Sequence, residues 1–151
     1  MNLYVGSDHA GYRLKEEILA AGFIGTDLRL VDCGTFDEGS VDYPDIAFAV
    51  AERVKADSGF GILICGTGLG MSIAANKVNG IRAALCSEPL SARLAREHND
   101  ANILVLGARM IGTLLALETV KAFVSGMFTG GRHEKRIEKI ASIEIMMKRE
   151  E

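Results

Sequence analysis

The chain has 151 residues, 48% of them hydrophobic and 25% charged, with a formal net charge of -3. A globular chain of this length buries about two-thirds of the surface it exposes when unfolded, so it needs neither a metal nor a disulfide as a staple. The acidic balance, without a basic or aromatic-basic stripe, argues against a nucleic-acid surface; no apolar run nears the ~20 residues of a membrane span, and the amino terminus lacks the basic start of a secretion signal.

Short β-rich runs alternate with longer amphipathic segments, and each change of period falls at Gly, Asp, Ser or Pro, which predicts an α/β fold. Strands are expected at 2–6, 28–34, 59–65, 81–86 and 102–107, and helices at about 11–22, 44–56, 69–78, 88–97 and 112–125. With right-handed crossovers this order gives one domain over 1–151, a Rossmann-like, doubly wound sheet of five parallel strands that binds ligands outside the carboxyl ends of its strands. Those ends read GSDHAG, CGTFDEGSVDYPD, CGTGLG, CSEPLS and GARMIG. After Gly130 and Gly131, the helical spacing of Ile137, Ile140, Ile143 and Met147 predicts a last amphipathic helix over about 133–149. Its apolar stripe suits a subunit seam and equally suits packing on its own domain. The stretch AAGFIGTDLRL, longer than a helix-to-strand link needs, has no functional reading. Cys33, Cys65 and Cys86 cannot all pair within the chain and match no zinc spacing, which points to a reducing cytoplasm and no metal site.

The third strand end carries the most chemistry. In CGTGLG, glycines at 66, 68 and 70 free the backbone to turn several N–H groups into one concavity, a nest for an anion or a developing oxyanion. The loop lacks both the G-x-G-x-x-G spacing and the Walker lysine, so neither nucleotide fingerprint holds. Cys65 at the mouth of this loop would have its thiolate stabilised, as a nucleophile or a proton-abstracting base, or would serve as a small buried hydrophobe. The buried reading suits Cys33 and Cys86, which lie inside apolar strands. Asp8 and His9 follow the first strand, and His98 and Asn99 precede the fifth, so two of the three histidines fall at expected strand mouths. They are acid–base groups and hydroxyl clamps, or else Asp8 caps a helix and His98 is a cation at a helix carboxyl end. Arg132 and Arg136, four apart, can fork a phosphate, or form a solvated basic turn with Lys135 and Lys139. Tyr43 in VDYPD stacks on a polar ligand or anchors its loop.

Taken together, GSDHAGYRLK, VDYPD, the long run from GILICGTGLGMSIAANK to GARMIG, and GGRHEKRI resemble the type B ribose-5-phosphate isomerases, from near residue 6 to near 137. That sugar-phosphate isomerase family also holds the galactose-6-phosphate isomerase subunits. The resemblance implies interconversion of ribose 5-phosphate and ribulose 5-phosphate, a step of the non-oxidative pentose phosphate pathway, in a dimer or tetramer without metal or organic cofactor. It makes Cys65 the base that moves a proton between the two enediol carbons, with Thr67 and the Gly66, Gly68 and Gly70 backbone holding the enediolate oxygens. His98 and Asp8 become candidates for opening the furanose ring, Asn99 for sugar hydroxyls, and His9, Arg132, Arg136 and Arg109 for phosphate. A branch of the family replaces the cysteine by a glutamate at the position of Met71, so this chain resembles the cysteine branch. The resemblance also implies a site shared between subunits. Two rivals are an isomerase of a six-carbon sugar phosphate, such as allose 6-phosphate or galactose 6-phosphate, and a non-catalytic sugar-phosphate sensor on the same fold.

Overall fold

A computed structural model describes residues 1–23 and 26–148, with the side chains of Met147 and Lys148 left out of account. Residues 24 and 25 of the long AAGFIGTDLRL link, the end of the expected last helix at 149, and the Met147 side chain of its apolar stripe therefore lie outside the described residues. In chain order the elements are β1 (Asn2–Ser7), α1 (Tyr12–Ala21), β2 (Arg29–Asp32), α2 (Tyr43–Asp57), β3 (Phe60–Cys65) and α3 (Leu69–Ala75). They continue with β4 (Ala83–Leu85), α4 (Pro89–Asn99), β5 (Ile103–Gly107), α5 (Thr113–Ser125), a 3-10 turn (Gly131–His133) and α6 (Glu134–Lys148).

The five strands form one parallel sheet in the order β2-β1-β3-β5-β4. Alternation along each strand splits the core. Leu3, Val5, Ile62, Ile64, Leu104 and Leu106 face α1, α4 and α5, whereas Leu63, Cys65, Ile103 and Val105 face α2 and α3. Near-continuous apolar strands covered on both faces are what a parallel sheet requires. The chain winds outward from β1 to β2 and then crosses back to β3 on the other side of β1. The reversal leaves a crevice at the carboxyl ends of β1 and β3, where such sheets bind ligands.

Local chemistry sets the boundaries. Pro44 and Pro89 sit in the first turns of α2 and α4, and the Glu88 carboxylate accepts the N–H groups of Leu90 and Ser91 at 2.6 and 2.7 Å. Helix α3 is shorter than the expected 69–78 because Asn76 ends it: its amide donates to the carbonyls of Ser72 and Ala83 and accepts the Ala83 N–H, each at 2.9 Å. Helix α4 runs two residues past the expected 97 and ends at Asp100 in a left-handed conformation, φ 45°. At the far end of the chain α6 exposes Ile140, Ile143, Ile145 and Met146, and the Glu144 carboxylate accepts the Gly80 N–H at 3.0 Å.

Candidate active site

Asp8 and Cys65 leave adjacent strands at the same end of the sheet, and the Asp8 N–H donates to the Ile64 carbonyl at 3.1 Å. One Asp8 carboxylate oxygen, Oδ1, accepts the N–H groups of Ala10 and Gly11 at 3.0 and 3.1 Å. It thus forms a turn ahead of α1 rather than capping the helix, whose N-cap is Gly11. The other oxygen has no hydrogen bond among the described residues. Gly11 itself allows the close crossing of the two strand ends, since a Cβ there would lie 2.6 Å from the Ile64 carbonyl oxygen.

Cys65 is 5% exposed, and its Sγ accepts the Gly68 N–H at 3.1 Å. Gly68 holds φ at +79°, a left-handed geometry that turns its N–H back toward the sulfur. The exposed Thr67 hydroxyl lies beside this loop and accepts the Leu69 N–H at 3.3 Å. A Cβ on Gly66 would stand 3.2 Å from Nη1 of Arg109, so the exposed guanidinium lies across the loop. A Cβ on Gly70 would stand 2.5 Å from the Tyr43 ring, which roofs the other side. His9 Nδ1 accepts the Val41 N–H at 3.3 Å, joining the first loop to the segment that delivers Tyr43. Asp8, His9, Tyr43, Cys65, Gly66, Thr67, Gly68, Gly70 and Arg109 therefore converge on the β1/β3 crevice.

Met71, in the first turn of α3, is fully buried in the same core cluster as Cys65, so an apolar side chain occupies that turn. The other two thiols are of a different kind. Burial pushes Cys33 and Cys86 up from the ordinary thiol range, in Cys33 against the opposing pull of Arg53 and in Cys86 against a hydrogen bond from Ser91.

The remaining expected residues lie elsewhere in the protomer. His98 and Asn99 occupy the last turn of α4, which runs antiparallel to the strands and delivers the chain to the amino end of β5. His98 is therefore not at a carboxyl-end strand mouth: it comes just before β5, and in a parallel sheet the segment entering a strand lies at the opposite end. Cys65 is level with Gly107 and Gly61 with Ile103, so about 13 Å of strand separates the two ends. Near His98, Arg132 and Arg136 join Lys135, Lys139 and Gly131 around a cavity of about 560 Å³ whose lining carries four cationic side chains and no carboxylate. Gly130 and Gly131 both have positive φ, 63° and 59°, and a Cβ on either would meet nothing within 4 Å. They shape the turn that presents the arginines rather than making room. The sequence reading passed over His133, whose ring stacks on His98 with centroids 4.3 Å apart and planes 12° from parallel. Burial, and then His98, Arg132 and Arg136, hold His133 below the ordinary histidine value of 6.5.

One protomer thus carries two polar clusters at opposite ends of its sheet, a thiol in a glycine loop and an open cationic cleft beside two imidazoles. Residues 3–140 match the family model described as Ribose/Galactose Isomerase, a span that includes both clusters. The chain belongs to the ribose/galactose isomerase family. Within it, the ribose-5-phosphate isomerase B of Escherichia coli is 48% identical over 140 residues, 92% of this chain and 93% of that protein. The structure of the Clostridium thermocellum ribose-5-phosphate isomerase B is similar with a TM-score of 0.93 and 51% identity, covering 97% of this chain and 99% of that one. The Mycoplasma genitalium enzyme, solved with bound ribulose-5-phosphate, has a TM-score of 0.87 at 42% identity, covering 95% of each chain. The five-stranded parallel sheet of this ribose/galactose isomerase is therefore the fold of those enzymes. Among its described residues no helix is long and apolar enough to cross a membrane, and no group of histidine, cysteine and carboxylate side chains is placed to hold a metal ion.

Proposed function

We propose that this chain is an aldose–ketose isomerase interconverting ribose 5-phosphate and ribulose 5-phosphate, with Cys65 as the proton-transfer base. The observation that carries the role of Cys65 is its buried Sγ facing the Gly68 N–H at 3.1 Å, at the mouth of the β1/β3 crevice. Ring opening breaks the bond between C1 and the ring oxygen, takes a proton from the C1 hydroxyl and delivers one to the ring oxygen. Asp8, with one free carboxylate oxygen, and an imidazole divide these two transfers. The Cys65 thiolate then removes the C2 proton of the open aldehyde, and charge develops on O1. Thr67 and the loop backbone stabilise that charge before the thiol returns the proton to C1. The proton on O2 passes to O1, which completes the ketose. Losing a donor placed for such an oxyanion typically costs roughly a hundredfold to a thousandfold in rate.

The second half of the site comes from a second copy of the chain. The α4 end and the arginine cleft are too far from Cys65 within one protomer to meet the same five-carbon sugar, yet both halves have the chemistry it needs. His98 and Asn99 of the partner subunit would reach the sugar, and Arg132 and Arg136 of the partner subunit would join His9 and Arg109 on the phosphate. The exposed isoleucines of α6 supply apolar surface for a homodimer, with a tetramer as a larger assembly of the same chains. Three free cysteines suit a cytoplasmic enzyme, and carbohydrate metabolism through pentose phosphates is its natural setting.

Steady-state isomerisation of ribose 5-phosphate by wild type and Cys65→Ala tests the assignment. The expected result is a fall of about a hundredfold or more in kcat with sugar-phosphate binding retained, the scale of a positioned general base. A variant as fast as wild type would remove Cys65 from the mechanism.

A further inference from the structure

The role given to His98 leaves its neighbour His133 without one. The two rings are pinned from both chain segments. The Thr129 N–H and hydroxyl both donate to the Glu97 carbonyl, at 3.0 and 2.9 Å, tying the segment ahead of the turn to the residue next to His98. Beyond it the His133 N–H donates to the Gly130 carbonyl at 3.2 Å, closing the 3-10 turn from which the ring projects. The outcome is the near-parallel stack at 4.3 Å, with Arg132 before His133 in the chain and Arg136 one helical turn after it. Two imidazolium rings at that distance repel each other, and two guanidinium groups close by add to the repulsion. A neutral His133, in contrast, offers a flat, uncharged face that restricts the His98 ring without competing for its proton.

We propose that His133 is a positioning residue for ring opening: its imidazole backs the His98 ring and fixes the nitrogen that exchanges a proton with the furanose. The inference rests on the reading of His98 as a ring-opening group. A displaced catalytic group can cost on the order of a hundredfold in rate for an ångström of misplacement, so a second ring that removes rotational freedom has a measurable effect.

Hydrogen exchange separates this role from a merely structural one. Ribose 5-phosphate is largely a closed furanose and must be opened. Ribulose 5-phosphate cannot close onto its phosphorylated C5 oxygen and enters the reaction open, so exchange of its C1 hydrogen with solvent deuterium needs the enediolate but no ring step. Net conversion and this exchange are measured for His133→Ala, His133→Phe and His98→Asn in the full-length protein. The expected result for His133→Ala is a loss of about tenfold in kcat/KM for net conversion of ribose 5-phosphate, with a much smaller loss in the exchange from ribulose 5-phosphate. His133→Phe, which can still stack, should recover most of the net conversion. Equal losses in conversion and exchange, failure of Phe to rescue, or wild-type rates for His133→Ala beside an impaired His98→Asn would each overturn the role of His133 alone. Wild-type conversion of ribose 5-phosphate by His98→Asn would overturn the reading of His98 as well.

Discussion

A thiol at the end of a central strand is ordinarily part of the core, and by burial alone Cys65 is. What distinguishes it from Cys33 and Cys86 is its place in the glycine loop, where the backbone N–H of Gly68 turns back to its sulfur because a glycine at that position tolerates φ of +79°. Cys65 was legible in the sequence for this reason, since glycine spacing is a backbone signal that survives without coordinates. His133 was not legible, because a stack depends on where two segments distant in the chain come to rest. His133 also makes the site sensitive to pH. Its folded value lies below the ordinary 6.5, so the unfolded chain binds the proton better; this contribution to stability is fully present above about 6.5 and is lost as pH falls toward the folded value. Inorganic phosphate in the Arg132/Arg136 cleft should offset the guanidinium charges and raise the value. An NMR titration of the His133 ring is expected to give a midpoint below 6.5 that moves upward when phosphate saturates the protein; a midpoint indifferent to phosphate would place the anion elsewhere.

Among the elements, α1 shows where pattern reading stops. Leu14 and Ile18 mark its buried face, yet Lys15 beside them is also fully buried, its ammonium 2.8 Å from both Asp32 carboxylate oxygens and from Glu16. Burial alone would push the lysine down, but Asp32 and Glu16 together outweigh it and hold the lysine above its ordinary value. The contribution to stability is present at neutral pH and is lost only as pH rises through that raised value. The ion pair anchors α1 to the end of β2, next to the segment that carries the site loop. Lys15→Met is expected to lower stability by about 1–3 kcal/mol in urea unfolding, less than for a wholly buried pair because Asp32 keeps partial access to water. A change within error would mean that the methionine packs as well as the pair. The five strands and their parallel sense were readable from β–α alternation, whereas the insertion of β5 between β3 and β4 was not. Strand order is decided by which helices cover which face, and periodicity carries no record of that. The place of His98 followed from chain order instead: a residue just ahead of β5 enters a parallel sheet at its amino end, whatever the last residue of α4.

In the proposed function, the two separated clusters work together only in an assembly of the whole molecule. The apolar stripe of α6 was visible in the sequence as a helix with one greasy face, but periodicity could not say whether the chain's own domain covers it. Here Ile140 is 42% exposed and Ile143 58%, so the domain leaves much of that stripe uncovered. The proposed two-fold dimer would account for both, because it would bring the same pair of surfaces together twice and build two equivalent sites. The direct test is subunit complementation. Cys65→Ala damages one half-site and the double variant Arg132→Ala/Arg136→Ala the other, and each alone should be inactive toward ribose 5-phosphate. If the halves come from different copies, co-expressing the two in equal amounts yields mixed dimers with one intact site each, and activity returns to about a quarter of wild type. If every site is built from a single chain, the mixture stays as inactive as its components, and the shared-site account is contradicted.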